Sequence, residues 1–303
     1  MSHKTSLNKA IVILGFGLLA TSTSAIFTKM CLAPAMAIAC WRVGLASLFY
    51  YTITRTTSGP IHTLYSKAQF SLALLSGTAL ALHFITWITS LRYTSVASSV
   101  VLVATSPIWV ALGGFLFLRE KPRPLLLMGI LLAMGGSVVI SGSDFYFDPQ
   151  RLTGNVLAIL GAMFAAVYLL IGRRLRASVD TFPYVTAVYG SAALVTLVFI
   201  FTTRTQLFGF EPKTYLLLFA IAIFPQIIGH TSFNWALKYF SATVVAVVTL
   251  GEPIGASILA WIILGENLSL LQALGGGITL VGLFMALMGE AGVKLGSEFL
   301  KPE

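Results

Sequence analysis

Two pairs of side chains in this sequence have the types and the spacing to line a polar pocket inside an apolar protein. His83 and Trp87 are four residues apart, as are His230 and Asn234, so each pair shares one face of a helix. An imidazole beside an indole, facing an imidazole beside an amide, would suit a small zwitterion or a ring compound. The alternative is a structural network, in which each histidine bonds a carbonyl group and the asparagine bridges two helices.

Two charged residues lie inside apolar runs, where a charge is costly and needs a partner. Glu252 is about eleven residues into its run, which at 1.5 Å per residue is roughly 16 Å deep. Arg42 lies a turn or two inside the second run. We expect Glu252 to be protonated, or paired with Arg42 or with a bound cation. A structural salt bridge between the two residues is the alternative.

Two prolines occur in the middle of apolar runs, where each removes a backbone hydrogen bond and kinks the helix. Pro107 follows Ser106, and Pro253 follows Glu252. A kink at the midplane exposes carbonyl groups that a cavity or a polar neighbour must satisfy. We therefore predict a central site with Pro107 and Pro253 as helix hinges. The predicted substrate-binding residues are His83, Trp87, His230, Asn234, Glu252, Arg42 and Ser106.

Composition places the chain in a membrane. Of its 303 residues, 57% are hydrophobic and 10% are charged, against about 25% charged in globular proteins. The net charge of +9 does not indicate nucleic-acid binding, because the basic residues lie in the gaps between apolar runs. Cys31 and Cys40 are too few for a disulfide scaffold or a Cys-rich metal site, and we expect both to be small apolar fillers. The expected partners are the lipid bilayer and a small-molecule substrate, with no nucleic acid.

Ten apolar segments are long enough to cross a bilayer as helices. They are residues 10–29, 36–54, 69–91, 94–117, 125–142, 153–173, 181–203, 214–236, 241–263 and 268–288. The first segment has features of a signal peptide, but nine more segments follow it and we expect it to be retained. Thirteen Lys and Arg residues lie on the side of the N-terminus, against six on or near the other side. The positive-inside rule therefore predicts a multi-pass protein of the cytoplasmic (inner) membrane with both termini cytoplasmic.

The chain contains one stretch twice. Residues 91–136 and 237–282 align without a gap when 146 is added to each number, and eleven of the 46 aligned positions are identical. Pro107 matches Pro253, and Glu120 matches Glu266; we expect these glutamates to make structural contacts at helix ends. Each repeat holds five helices, an odd number, so the second copy must enter the membrane from the opposite side. The predicted fold class is an all-α integral membrane protein with ten transmembrane helices as two inverted five-helix repeats.

The predicted organisation has four parts. They are a first repeat at 1–142, an external linker at 143–152, a second repeat at 153–290 and a cytoplasmic tail at 291–303. The linker carries Asp144, Asp148 and Pro149 and should lie outside the membrane. The fifth and tenth segments are rich in glycine, which permits close helix packing. These segments would serve as peripheral struts or as a dimer seam, so a monomer and a homodimer both stay open.

The ten-helix plan resembles the EamA-type transporters of the drug/metabolite transporter superfamily. The R/K-Y-x-S…P…E elements at Arg92–Glu120 and Lys238–Glu266 also resemble that family. Two stretches of this chain, LHFITWITSLRYTSVASSVVLVATSPI and PQIIGHTSFNWALKY, are similar to one bacterial branch of it. The resemblance covers essentially the whole chain and implies a transporter of this fold. Its members move amino acids, purines, nucleotide-derived metabolites or drugs, some outward and some inward. Its motifs do not select among these substrates.

We expect a secondary transporter that moves a small polar organic metabolite, an amino acid or a related compound, by alternating access. A carrier for nucleosides, purines, nucleotide-derived metabolites or drugs is the alternative; a channel or a scaffold is a further one. The sequence has no H-E-x-x-H, no G-x-S-x-G and no intramembrane aspartate pair, so we expect neither an enzyme nor a metal site.

The sequence also lacks a G-x-x-x-x-G-K-[ST] loop, so we expect no cofactor and no use of ATP. Protons are the first candidate for coupling, through Glu252, His83 or His230. Exchange and facilitated diffusion are the alternatives.

Overall fold

The computed structural model describes residues 2–94, 96–119, 121–141, 149–265 and 270–298, and within these ranges it contains helices and no β-strand. The helices are α1 (Ser2–Met30), α2 (Ala35–Thr57), α3 (Lys67–Ser90), α4 (Val96–Val103), α5 (Ser106–Gly113), α6 (Pro124–Ser141), α7 (Pro149–Leu175), α8 (Thr181–Thr203), α9 (Pro212–Ile221), α10 (Thr231–Ala236), α11 (Ala242–Val248), α12 (Glu252–Leu264) and α13 (Leu270–Glu298). Short 3₁₀ turns occupy Ile61–Thr63 and Thr249–Gly251, and π-helical segments occupy Gly114–Leu118 and Ala222–His230.

These helices correspond to the ten predicted membrane segments and confirm the all-α fold. Eight helical stretches of the described chain are long and apolar enough to cross a bilayer. Two shorter apolar stretches, Pro124–Ile140 and Ala273–Gly289, supply the fifth and tenth segments. Three segments are interrupted within their length. The fourth is built from α4 and α5, the eighth from α9, a π-helical segment and α10, and the ninth from α11 and α12.

Two helices extend beyond the boundaries expected from hydropathy. Helix α7 begins at Pro149, so residues 149–152 of the predicted linker are helical, and α13 continues to Glu298 in the predicted tail. Hydropathy marks the part of a helix that suits lipid, whereas backbone hydrogen bonds continue wherever the side chains permit. Residues 142–148, with Asp144 and Asp148, and residues 299–303 lie outside the described chain, as do Glu120 and Glu266.

Several helices begin at residues that satisfy or remove the free N–H groups of a first turn. A capping box starts α3: the Ser66 hydroxyl accepts from Gln69 N at 3.2 Å, and Gln69 Oε1 accepts from Ser66 N at 2.9 Å. Ser241 caps α11 with a single bond, in which its hydroxyl accepts from Val244 N. Proline, which has no N–H to satisfy, is the first residue of α6, α7 and α9.

The interface between α6 and α13 shows how the repeats are related. A Cβ built on Gly129 would lie 2.6 Å from the Gly282 carbonyl oxygen, and a Cβ built on Gly275 would lie 2.7 Å from the Gly136 carbonyl oxygen. Adding 146 converts Gly129 to Gly275 and Gly136 to Gly282, so one contact is made twice. Residue numbers rise along one helix as they fall along the other. The equivalent helices are therefore antiparallel, which confirms the inverted repeat.

A second pair of equivalent helices, α2 and α8, packs in the same antiparallel manner. Their bounds differ by 146 at both ends, and the hydroxyl groups of Thr54 and Thr186 form a hydrogen bond of 2.8 Å between them. Helix α1 packs against the eighth and ninth segments, and its counterpart α7 packs against α3 and the fourth segment. This arrangement places the three interrupted segments around the centre of the molecule.

Candidate functional site

A cavity lies at the junction of the two repeats. It holds about 920 Å³ of space free of protein atoms, part of it open to the exterior. Six of the seven predicted binding residues line it, together with Pro253. The lining residues are Thr21, Ser22, Ser24, Ala25, Arg42, His83, Phe84, Trp87, Val100, Val103, Ala104, Ser106, Ala165, Tyr168, Leu169, His230, Phe233, Thr249, Glu252, Pro253 and Ala256.

Helix breaks in the fourth and ninth segments position Ser106 and Glu252. Helix α4 ends at Val103 and α5 begins at Ser106, whereas the 3₁₀ turn Thr249–Gly251 separates α11 from α12, which begins at Glu252. Each proline follows in the first turn of the second helix, where its missing N–H leaves a carbonyl of the preceding turn unbonded. The mirrored prolines therefore mark two helix breaks at equivalent positions, and each break presents a polar side chain to the cavity.

The eighth segment contains an interruption that the sequence analysis missed. Residues Ala222–His230 form a π-helix with Pro225 inside it. The wider turn of a π-helix changes which side chains face a neighbour, and such segments often occur at functional sites. Gln226, with none of its surface exposed, points into the core from this segment, and His230 ends the segment at the cavity. Pro225 beside a polar residue in an apolar span is the sequence signal that identifies this break.

The Arg42 side chain is 1% exposed and is held by neutral groups. Its Nε donates to Gln226 Oε1 at 2.6 Å, and its Nη1 donates to Ser24 Oγ at 2.8 Å. The guanidinium carbon lies 4.1 Å from the centre of the Phe84 ring, a cation–π contact. No carboxylate oxygen of the described residues lies within the 4.0 Å of an ion pair, so Arg42 and Glu252 share the cavity without forming a salt bridge.

Aromatic rings connect the two predicted histidines across the cavity. His83 Nδ1 lies 2.9 Å from the Gly161 carbonyl oxygen, which selects the tautomer with a proton on Nδ1. The His83 ring is parallel to the Trp87 ring, with centroids 6.1 Å apart. Phe84 lies between the histidines, with ring centroids 4.9 Å from His83 and 5.3 Å from His230. Within the described chain, His230 Nδ1 and Trp87 Nε1 are buried and have no hydrogen-bond partner.

Asn234 does not line the cavity, although its predicted neighbour His230 does. Its side chain is fully buried behind the wall, where Oδ1 accepts from the Tyr168 hydroxyl at 2.6 Å and Nδ2 donates to the Tyr189 hydroxyl at 3.1 Å. Tyr168 does line the cavity, so Asn234 positions a lining residue. The sequence analysis missed Tyr168, Ser24 and Gln226, because their polar groups become informative only when their distant partners are known.

A second buried arginine, Arg176, lies at the end of the molecule where α7 meets α8. Arg176 is 1% exposed, and all three of its guanidinium nitrogens donate hydrogen bonds. The acceptors are the Asn234 carbonyl oxygen at 3.0 Å, the Val179 carbonyl oxygen and Thr181 Oγ1 at 2.7 Å. Burial lowers the pKa of the Arg176 guanidinium, and the charge of Asp180 opposes that shift. A continuous chain of hydrogen bonds thus joins this end to Asn234 and, through it, to the cavity wall.

The opposite end of the molecule carries a related arginine contact. Arg92 Nη2 donates to the Ala33 carbonyl oxygen at 3.0 Å. Adding 146 converts Ala33 to Val179, so equivalent carbonyl groups are held by an arginine at each end. Arg92 is exposed, whereas Arg176 is buried. The two arginine contacts therefore differ in how deeply they are buried.

Comparison with known proteins agrees with the duplicated architecture. The model of the EamA-like transporter family matches the chain twice, over residues 8–142 and 152–288. An uncharacterized transporter of Archaeoglobus fulgidus is 28% identical over 223 residues, which cover 72% of this chain and 75% of that protein. The uncharacterized transporter YyaM of Bacillus subtilis is 25% identical over 293 residues, which cover 92% of this chain and 93% of that protein.

A solved crystal structure supports the fold independently of these sequence matches. It aligns with a TM-score of 0.80 at 19% identity and covers 94% of this chain and 99% of that one. At this identity the likeness concerns the fold alone.

Proposed function

The chain belongs to the EamA-like transporter family, and from this we propose that it is a secondary carrier for a small polar organic metabolite, an amino acid or a related compound. The observation that carries the proposal is the cavity at the junction of the repeats, which residues of both repeats line and which contains Arg42 and Glu252. A guanidinium and a carboxyl group that are not in direct ion-pair contact can receive the carboxylate and the ammonium group of one zwitterion.

Alternating access of the two repeats is the proposed mechanism. The helix breaks before Pro107 and Pro253 offer equivalent hinges on both sides of the cavity. The buried Arg176 network and the exposed Arg92 contact would close opposite ends, so transport requires the Arg176 bonds to break and bonds at the Arg92 end to strengthen. With both termini in the cytoplasm, as the charge count predicts, Arg176 would lie at the cytoplasmic end.

Ring-containing cargo is the second candidate for the same cavity. Trp87 lines the cavity and is stacked with His83, so an aromatic face is available for a nucleoside, a purine or an aromatic amino acid. This alternative and an amino-acid cargo use different walls of one site. A transport assay with both compound classes separates them.

Proteoliposomes that contain the purified protein provide the test of transport. We expect saturable uptake of a labelled substrate, stimulated by the same unlabelled substrate on the opposite side, because a carrier exchanges its cargo. Flux that rises linearly with concentration and lacks counterflow would indicate a channel instead. The assay is repeated with an imposed ΔpH, since Glu252, His83 and His230 are the candidates for proton coupling; flux that ignores both ΔpH and membrane potential would rule that coupling out.

A further inference from the structure

Arg42 presents a buried positive charge that forms no ion pair with a carboxylate of the described residues. Its Nε and Nη1 bond neutral oxygens of Gln226 and Ser24, and the Phe84 ring covers one face of the guanidinium. Within the described chain no carboxylate lies within ion-pair distance. Glu252 is the acidic residue that shares the cavity, and it lies beyond ion-pair distance of Arg42. A buried guanidinium without a carboxylate in direct contact is unfavourable, so a site of this kind is stabilised when an anion binds to it.

The contacts of Arg42 also determine which part of the guanidinium is available. Gln226 and Ser24 occupy Nε and Nη1, and Nη2 makes no hydrogen bond with the described residues. Arg42 lines the cavity, so this remaining nitrogen is its free donor there. Gln226 lies on the π-helical segment Ala222–His230, whose altered turn brings its amide oxygen within 2.6 Å of Arg42. The π-helix thus orients the arginine from the opposite repeat.

Trp87, another residue of the cavity lining, carries a second donor without a partner among the described residues. Trp87 is 7% exposed and lines the cavity, and its Nε1 is buried without a partner in the described chain. Indole and guanidinium nitrogens donate hydrogen bonds and accept none. They therefore fit a group that only accepts, and a carboxylate does so with two oxygens and one negative charge. Glu252 in the same cavity disfavours a more highly charged anion such as a phosphate.

We infer that Arg42, held by Gln226 and Ser24, forms with Trp87 a carboxylate-binding subsite, so that the cargo must carry a free carboxylate. This inference rests on the proposed transport function. A subsite of this kind would bind amino acids and other monocarboxylates and would not bind amines, amides, nucleosides or free purines. It also assigns Gln226 a positioning role, because Gln226 touches Arg42 and does not line the cavity.

Matched compounds test the carboxylate requirement on the full-length protein. The probes are L-phenylalanine, L-phenylalaninamide, phenethylamine and 3-phenylpropionate, the corresponding leucine and glutamine series, and adenosine. We expect thermal stabilisation and counterflow from members with a carboxylate, at concentrations at least about tenfold lower than for their amides. Equal responses to acids and amides, or to adenosine, would overturn the subsite while leaving transport intact. If no carboxylate binds, the inference fails, and if no compound shows saturable flux, the proposed function fails with it.

Two variants test the roles assigned to Gln226 and Trp87. Each variant is compared with Leu216→Ala, a control at an exposed apolar position. Gln226→Glu keeps the size of the side chain and its acceptor oxygen but places a carboxylate against Arg42. We expect it to weaken binding of the best carboxylate probe about tenfold or more, because the guanidinium is already neutralised. Trp87→Phe keeps the ring and removes the N–H, and we expect a several-fold weaker affinity with an unchanged elution profile. Wild-type affinity in both variants would contradict the assignment. If Gln226→Glu does not fold, Trp87→Phe and the compound series decide alone.

Discussion

The Tyr168 hydroxyl donates a hydrogen bond of 2.6 Å to Asn234 Oδ1 from the wall of the cavity, and Asn234 itself lies behind that wall. A residue of the first helix of the second repeat is thereby fixed by a residue at the end of the eighth segment. The backbone carbonyl oxygen of the same asparagine accepts a hydrogen bond from Arg176 Nε. The wall of the cavity and the Arg176 network are consequently joined through one residue, Asn234.

Removing this contact should affect stability and the cavity together. Asn234→Leu leaves the buried Tyr168 hydroxyl without a partner and leaves the Tyr189 hydroxyl only its bond to Thr231, and we expect a loss of about 1–3 kcal/mol in unfolding free energy. Tyr168→Phe removes one donor and should be milder. The double variant should lose less unfolding free energy than the two single variants lose together, because the Tyr168 hydroxyl and the Asn234 side chain bond each other. Thermal unfolding in detergent measures all three, and simple additivity would show that the bond is not formed.

Adjacent glycines on α6 offer a matched pair for the interface between the repeats. A Cβ on Gly136 would lie 2.5 Å from Thr279 N and 2.6 Å from the Gly275 carbonyl oxygen, whereas a Cβ on Gly135 meets nothing within 4 Å. We expect Gly136→Ala to destabilise the protein by about 1–3 kcal/mol through backbone displacement. Gly135→Ala should be neutral or stabilising by ~0.5–1 kcal/mol. Equal unfolding temperatures of the two variants would contradict the antiparallel α6–α13 packing.

The two hinge prolines should matter for turnover more than for folding. Pro107→Ala and Pro253→Ala restore an N–H that can bond the preceding turn and straighten the segment. We expect transport to slow about tenfold, which corresponds to ~1.4 kcal/mol in the barrier, with an equal or higher unfolding temperature. Pro212→Ala, at the start of α9 and away from the breaks, is the control. A hinge variant that transports as fast as this control would refute the role of the helix breaks.

Weakening the Arg176 network should open the end that it closes. Arg176→Gln loses charged hydrogen bonds to Asn234, Val179 and Thr181, each of which contributes about 1.5–3 kcal/mol. We expect a cysteine at the cavity-lining position Leu169 to react about tenfold faster with a bulky maleimide, a shift of ~1.4 kcal/mol toward the open form. Arg55→Gln, at an exposed position on α2, serves as the control. An unchanged labelling rate would exclude a closing role.

Cysteine labelling in intact cells tests the orientation that the charge count predicts. Ser58 and Gln206 are exposed in connections on opposite sides of the predicted topology. An impermeant maleimide should modify Gln206→Cys and leave Ser58→Cys unmodified until the cells are opened. The background is low because Cys31 and Cys40 are buried, and burial raises the pKa of the Cys31 thiol, which reduces its reactive thiolate. Labelling of both positions in intact cells would disprove the topology.

The sequence by itself determined that the protein lies in a membrane, how many membrane segments it has, and that it is an inverted duplication. Each of these follows from local patterns: apolar runs of membrane length, and a register of 146 residues with Pro107 on Pro253. It also identified six of the polar and aromatic residues that line the cavity, because side chains such as Arg42, His83 and Glu252 stand out within apolar runs.

Tertiary structure alone decided which of these polar residues meet each other and which face the cavity. Arg42 bonds Gln226 from a position 184 residues away rather than Glu252, and Asn234 turns from the cavity to Tyr168 and Tyr189. Spacing along a helix shows which side chains share a face, but the neighbour of that face depends on how helices pack. The π-helical turn at Ala222–His230 rotates that face further, so the partners of Gln226 and His230 follow from the fold and not from the 3.6-residue period.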